Sequence, residues 1–176
     1  MPRGDRAGRL VTTLVADPPW PYRDRLPGKG RGAEKHYRLL TVPEIMRFPL
    51  PELEGDSRLF LWTTGPFLRP AYAVLEAWGF RDTLAQMVWH KTGRLGMGRR
   101  VRVQHEYVLI GERGRPQLLA RNVRSVFEAK PTAHSAKPDV FYELVERLSP
   151  GPYVELFARR QRDGWECHSE ELRALV

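Results

Sequence analysis

The chain has 176 residues, 41% of them hydrophobic, with a net charge of +8 and a pI of about 10.1. That length suits one domain with a real core, so residues 1–176 are read as a single domain, and a disordered tail is excluded. No apolar run is long enough to span a bilayer, MPRGDRAGR has no signal-like apolar stretch, and the lone Cys167 excludes an internal disulfide or multi-cysteine zinc site, so a cytoplasmic location is expected.

The basic excess points to a polyanionic partner, nucleic acid above all, against the plainer reading of a solvated basic surface. Its distribution favours the first. No acidic residue occurs from Thr83 to His105, while Lys91, Arg94, Arg99, Arg100 and Arg102 gather there among Gly93, Gly96 and Gly98. This stretch reads as a basic loop facing phosphates.

In chain order, LVTTLVA (10–16) reads as a buried strand and residues 23–36 as a loop. Thr41-Val42-Pro43-Glu44 has capping-box spacing and predicts a helix start. SRLFLWTT (57–64) is a second buried strand. Leu68, Tyr72, Leu75 and Trp78 recur at helical spacing, with Gly79 placed to end that helix. Strand-like TLAQMVWH (83–90), EYVLIG (106–111) and SVFEA (125–129) follow. In KPDVFYELVERLS a stripe of Val140, Phe141, Leu144, Val145 and Leu148 predicts a helix closed by Pro150-Gly151, and YVELFA (153–158) is a last buried strand. Strands apolar on both faces alternating with amphipathic helices predict an α/β/α three-layer sandwich with a mostly parallel sheet.

Ligands of open α/β sheets bind beyond the carboxyl ends of the strands. Two strand ends are chemically unusual here: Asp17-Pro18-Pro19-Trp20, and Phe157-Ala158-Arg159. Each proline fixes φ and removes a donor, and the residue before a proline is held extended. Asp17 and a proline carbonyl left without local donors then offer two acceptors beside the flat ring of Trp20. That set suits an exocyclic amino group on a planar heterocycle. Two N–H groups held by acceptors would push the nitrogen towards sp³ and expose its lone pair to a positioned electrophile. The plainer alternative is that Pro-Pro ends a strand and Trp20 belongs to the core.

With these residues the chain resembles the β-class adenine N6-methyltransferases that carry an Asp-Pro-Pro-Trp motif. That family is named for the seventy-kilodalton MT-A subunit of the eukaryotic messenger-RNA adenosine methyltransferase. The resemblance runs from Val15 to about Trp165, through ADPPW, HYRLLTVPEI, LFLWTTG, WGF, VWHKTG, HEYVLIGERG and HSAKPDVFYELVERLSPGPYVELFARR. It implies a Rossmann-like fold, with the catalytic motif ahead of the cofactor motif, and S-adenosylmethionine as methyl donor. Asp17 and the carbonyl of Pro18 would hold the target amine, with Pro19 shaping the turn and Trp20 stacking on adenine. Tyr22 and Tyr37 would fall on the substrate side, with Lys91, Arg94, Arg99, Arg100 and Arg102 in a second substrate loop. Lys137 would meet the methionine carboxylate, with Glu155, Phe157 and Arg159 on the cofactor side.

Three departures from the family pattern stand out. Ala158 replaces a common glycine. Ser169-Glu170-Glu171 stands where a Gly-Asn-Glu often holds the cofactor ribose, so only Glu171 matches. Only 16 residues precede Asp17, so the upstream segment that can contact the cofactor adenine is expected to be shortened or missing. His90, His105 and His134 lack ligand spacing, so no metal is expected. No P-loop is present. Trp62 and Trp78 read as core, and Cys167 as an inert thiol.

The expectation is therefore an adenine N6-methyltransferase on nucleic acid, DNA ahead of RNA because the chain is compact and prokaryotic in type. Specificity would come from the two loops, a second copy in a homodimer, or a heteromeric partner subunit. The competing class is an inactive nucleic-acid-binding subunit. The presence of both Asp17 and Lys137 speaks against it, and Ser169-Glu170 speaks for it.

Overall fold

The computed structural model describes residues 10–22, 39–93, 95–96, 100–132 and 136–169. The strands are β1 (Val11–Ala16), β2 (Leu53–Thr63), β3 (Arg81–Lys91), β4 (His105–Arg113), β5 (Val126–Ala129), β6 (Tyr153–Leu156) and β7 (Trp165–His168). The helices are α1 (Val42–Met46), α2 (Leu68–Ala77) and α3 (Asp139–Leu148). The strands form one sheet in the order β5-β3-β4-β2-β1-β6-β7. Six strands point the same way, and β4 alone runs against its neighbours β2 and β3.

Alternation along the central strands builds two cores. Leu14 and Ala16 of β1 and Leu59 and Leu61 of β2 face one way, onto Ile45 of α1 and Val74 and Leu75 of α2. Val15, Phe60 and Trp62 face the other way, onto Phe141, Tyr142 and Val145 of α3. The expected α/β/α layering with a mostly parallel sheet is the observed one. Among the described residues no helix is long and apolar enough to cross a membrane.

Local chemistry explains the helix ends. The Thr41 hydroxyl accepts from the Glu44 N–H, while Glu44 Oε2 accepts from the Thr41 N–H at 2.7 Å, closing the capping box that starts α1. Thr41→Ala is expected to lower stability by about 1 kcal/mol, read as a lower urea midpoint at unchanged m-value. At the end of α2, Gly79 sits at φ +80°. Its N–H bonds to the Glu76 carbonyl and that of Phe80 to the Leu75 carbonyl, a Schellman closure.

Four details differ from the sequence reading. β2 begins at Leu53, before the apolar run. β3 begins at Arg81 and carries a bulge at which Leu84 has φ +59°, held by Asp82 Oδ1 accepting its N–H at 2.9 Å. In α3 Tyr142 is buried, while Val140, Leu144 and Leu148 of the expected stripe are only half-buried. The fourth is β7, absent from the sequence reading, which pairs in parallel with β6 and turns Trp165 and Cys167 inward. The predicted loop at 23–36 lies outside the described residues.

Candidate active site

The order of strands reverses between β1 and β6, and there the chain leaves β1 as Asp17 and β6 as Phe157. The exit of β3 lies at the same edge. So does the entrance of the antiparallel β4, where Lys91 and Glu106 stand close together.

Asp17 is buried, and its carboxylate is held at Oδ2 by Lys137 Nζ at 3.1 Å and Arg159 Nη2 at 3.5 Å. Lys137 lies 4.4 Å above the ring of Trp62, and its ammonium also reaches Glu106 Oε2 at 2.7 Å. The other oxygen of Glu106 pairs with Lys91, which itself lies over Trp89. A relay of alternating charge thus runs from Arg159 through Asp17, Lys137 and Glu106 to Lys91. Burial alone would push the Lys137 ammonium down; the Asp17 and Glu106 carboxylates overcome it and hold the pKa up. Burial likewise pushes the Glu106 carboxyl up, but Lys137 and Lys91 outweigh it and hold the group down at about 2. The relay begins and ends on a cation, with a carboxylate on either side of Lys137.

The Asp-Pro-Pro-Trp turn departs from the sequence reading. The expectation that a proline carbonyl lacks local donors is corrected, because the chain doubles back within the motif. The Pro18 carbonyl accepts from the Trp20 N–H at 2.8 Å, the Trp20 carbonyl from Tyr22 at 2.8 Å, and the Pro19 carbonyl from Leu40 at 3.0 Å. Each carbonyl keeps a second lone pair. Trp20 is 2% exposed; its indole N–H donates to the Trp62 carbonyl and its ring stacks on Phe67 at 5.5 Å. The aromatic ring standing half-buried at the mouth is Tyr22, edge-on to Phe67. Its hydroxyl lies 2.6 Å from Thr64 Oγ1, and burial pushes it up to about 12, so it stays a neutral hydrogen-bonding group.

On the other side of Asp17 a narrow cleft is lined by Lys137, Tyr142, Glu155, Phe157, Arg159 and Asp17 itself. Phe157 holds φ +62°, a left-handed conformation rare outside glycine, and its ring packs on Phe48 at 4.4 Å. Glu155 is 4% exposed, and burial pushes its carboxyl up to about 7.

Of the sequence-predicted residues, the structure brings together Asp17, Pro18, Lys137, Glu155, Phe157, Arg159 and Lys91, and turns Trp20 into the core. Arg100 and Arg102 are exposed beyond β3. Tyr37, Arg94, Arg99 and Glu171 lie outside the described residues. Glu106 and Tyr142 were missed. A carboxylate opening the otherwise apolar EYVLIG was a readable signal for Glu106. Among the described residues no group of three or more His, Cys, Asp or Glu is placed to hold a metal ion.

A mostly parallel sheet with helices on both faces and charged groups at its strand ends defines a Rossmann-like α/β fold of the methyltransferase kind. The MT-A70 family profile matches residues 11–171, and the chain belongs to that family. It is 36% identical over 157 residues to the N(6)-adenosine-methyltransferase subunit METTL3 of Danio rerio, and 35% identical to the catalytic subunit METTL3 of Homo sapiens. Each match covers 83% of this chain and 25% of the relative, so the chain spans about a quarter of those proteins. It is also 29% identical to the type II methyltransferase M.MunI of a Mycoplasma species, over 87% of this chain and 74% of that one.

Proposed function

We propose that this single domain is a cytoplasmic, S-adenosylmethionine-dependent methyltransferase acting on the N6 amino group of adenine in nucleic acid. The observation that carries the reading is Asp17 at the switch point of the sheet, held between Lys137 and Arg159. The cluster suits the chemistry of the methyl donor: cations for its carboxylate, buried carboxyls for its ammonium and hydroxyl groups, and the Phe157 backbone for close approach. When bound, the donor supplies an electrophilic methyl group.

The chain's own residues do the rest. Both ion pairs of Asp17 fall on Oδ2, and Oδ1 is assigned to one N–H of the target amine. The second lone pair of the Pro18 carbonyl takes the other N–H. Fixing both protons directs the nitrogen lone pair towards the cleft, and positioning supplies much of the acceleration. Trp20 then serves as a buried strut that fixes the turn, and the base is assigned to the half-buried face of Tyr22. The net positive charge and the basic stretch from Lys91 through Arg102 serve the phosphate backbone. An adenine within a duplex must be flipped out to reach Asp17, while a single strand avoids that few-kcal/mol cost.

We place DNA ahead of RNA on the likeness to the type II methyltransferase M.MunI, and the likeness to METTL3 makes RNA the alternative. Transfer of labelled methyl from S-adenosylmethionine to duplex DNA, single-stranded DNA and structured RNA tests both points. Label recovered as N6-methyladenine in duplex DNA is the expected result. Label in RNA alone reverses the order of substrates, and no label with no cofactor binding overturns the enzyme reading.

A further inference from the structure

The cleft holds a second buried carboxyl whose setting differs from that of Asp17. Glu155 lies on β6 opposite Val15 of β1 and Cys167 of β7, and its Oε1 accepts a 2.8 Å hydrogen bond from the Tyr142 hydroxyl. Tyr142 is itself 2% exposed, on the face of α3 that meets the sheet. Its ring is clamped. Arg162 stands 4.9 Å and Arg160 5.6 Å from the centroid, and Trp165 packs edge-on at 5.3 Å. A phenol so confined delivers its hydroxyl to one point only. A purely structural position would be filled as well by phenylalanine, without the desolvation cost of a buried hydroxyl.

We propose that Tyr142 is a positioning residue for the methyl donor: its clamped hydroxyl fixes one oxygen of Glu155 and turns the other into the cleft, to accept a hydrogen bond from a hydroxyl of the bound cofactor. The inference rests on the cofactor reading of this cleft and deepens it. Besides Tyr142, the titratable groups that act on Glu155 are Asp17 beyond β1, Lys137 ahead of α3, Arg160 after β6 and Cys167 across on β7. Burial pushes Glu155 up most, and Asp17 adds to it; Tyr142, Arg160 and Lys137 pull it down. Without the Tyr142 bond the carboxyl binds its proton more tightly. At neutral pH it then becomes an undirected acid in place of an aimed acceptor.

The test is calorimetric titration with S-adenosylmethionine from pH 6 to pH 9, on the wild type, Tyr142→Phe, Glu155→Gln and the double variant. Carbon-13 NMR titration of the Glu155 carboxyl in the free protein runs beside it. Wild-type affinity should fall as the pH drops through about 7. In Tyr142→Phe the NMR and binding midpoints should both move alkaline by about one pH unit, with roughly fivefold weaker binding at pH 7 and recovery at pH 9. That recovery is one a packing defect would not show. Glu155→Gln should bind weakly at every pH, and the double variant no worse. A Tyr142→Phe profile with an unmoved midpoint, or weakened equally at all pH values, overturns the role of Tyr142 alone. A wild type that binds no cofactor at any pH overturns it together with the cofactor reading.

Discussion

Asp17→Ala is expected to lower methyl transfer by about a thousandfold or more while the protein remains folded. In the proposed reading the Asp17 carboxylate accepts from the target amine, and loss of one preorganised electrostatic contact in a water-poor site removes about two to three orders of magnitude in turnover. Loss of orientation adds to this. Asp17→Asn keeps an acceptor oxygen of similar shape and should retain a measurable fraction. In both variants Lys137 keeps its 2.7 Å contact with Glu106, so the buried ammonium is not stranded and the fold should survive. Single-turnover rates at saturating S-adenosylmethionine give the answer. A rate within tenfold of the wild type for Asp17→Ala would rule out the amine-holding role.

The largest expected loss of stability lies at the other end of the sheet. Arg58, 3% exposed on β2, donates to Glu112 Oε1 from Nε at 3.1 Å and Nη2 at 2.7 Å. It also donates to the carbonyls of Pro116, Gln117 and Leu148. One guanidinium thereby ties β2 and β4 to the segment after β4 and to the last turn of α3. Arg58→Met leaves the Glu112 carboxylate and three carbonyls without this donor and should cost about 3–5 kcal/mol. For a chain of this size that is a fall of on the order of 10 °C in melting temperature. Pairing it with Glu112→Leu should recover only part of the loss, because the Pro116 and Gln117 carbonyls still lack the guanidinium, while that of Leu148 keeps the Leu119 N–H at 3.0 Å. Arg58 lies roughly 16 Å along β2 from the Thr63 end, so methyl transfer at low temperature should be unchanged. Full recovery in the double variant would show that the carbonyl bonds contribute nothing.

These two residues mark what the chain shows on inspection. Arg58 sits inside SRLFLWTT, where apolar neighbours announce the strand but nothing announces partners as distant as Glu112 and Leu148. Asp17 was conspicuous because two prolines must stop a strand. Its partners Lys137 and Arg159 converge on it only through the β1–β6 pairing, which no local pattern encodes. Trp20 is the converse case: a tryptophan beside a polar turn reads equally as platform or core, and only the position of Phe67 decides. β7 escaped because WECH is four residues long and places a glutamate and a histidine on its outer face. The bulge at Leu84 escaped because positive φ at leucine is held by the Asp82 side chain, against the preference of the residue itself.

The reversed direction of β4 has a bearing on how such a protein diversifies. Because β3 leaves and β4 enters at the same edge, the segment between Lys91 and Glu106 begins and ends beside the charged cluster around Asp17. Its two ends are clipped together by the ion pair of those residues and by the Lys91 N–H on the Gln104 carbonyl at 2.7 Å. The base of the segment is thus fixed independently of what it contains. Lengthening a loop anchored in this way carries only a slow entropic penalty, about 0.6 kcal/mol per doubling. The segment and the cluster around Asp17 meet at one carboxylate, that of Glu106. On the proposed function, a lineage could therefore change what this segment contacts while the cluster around Asp17 stays as it is.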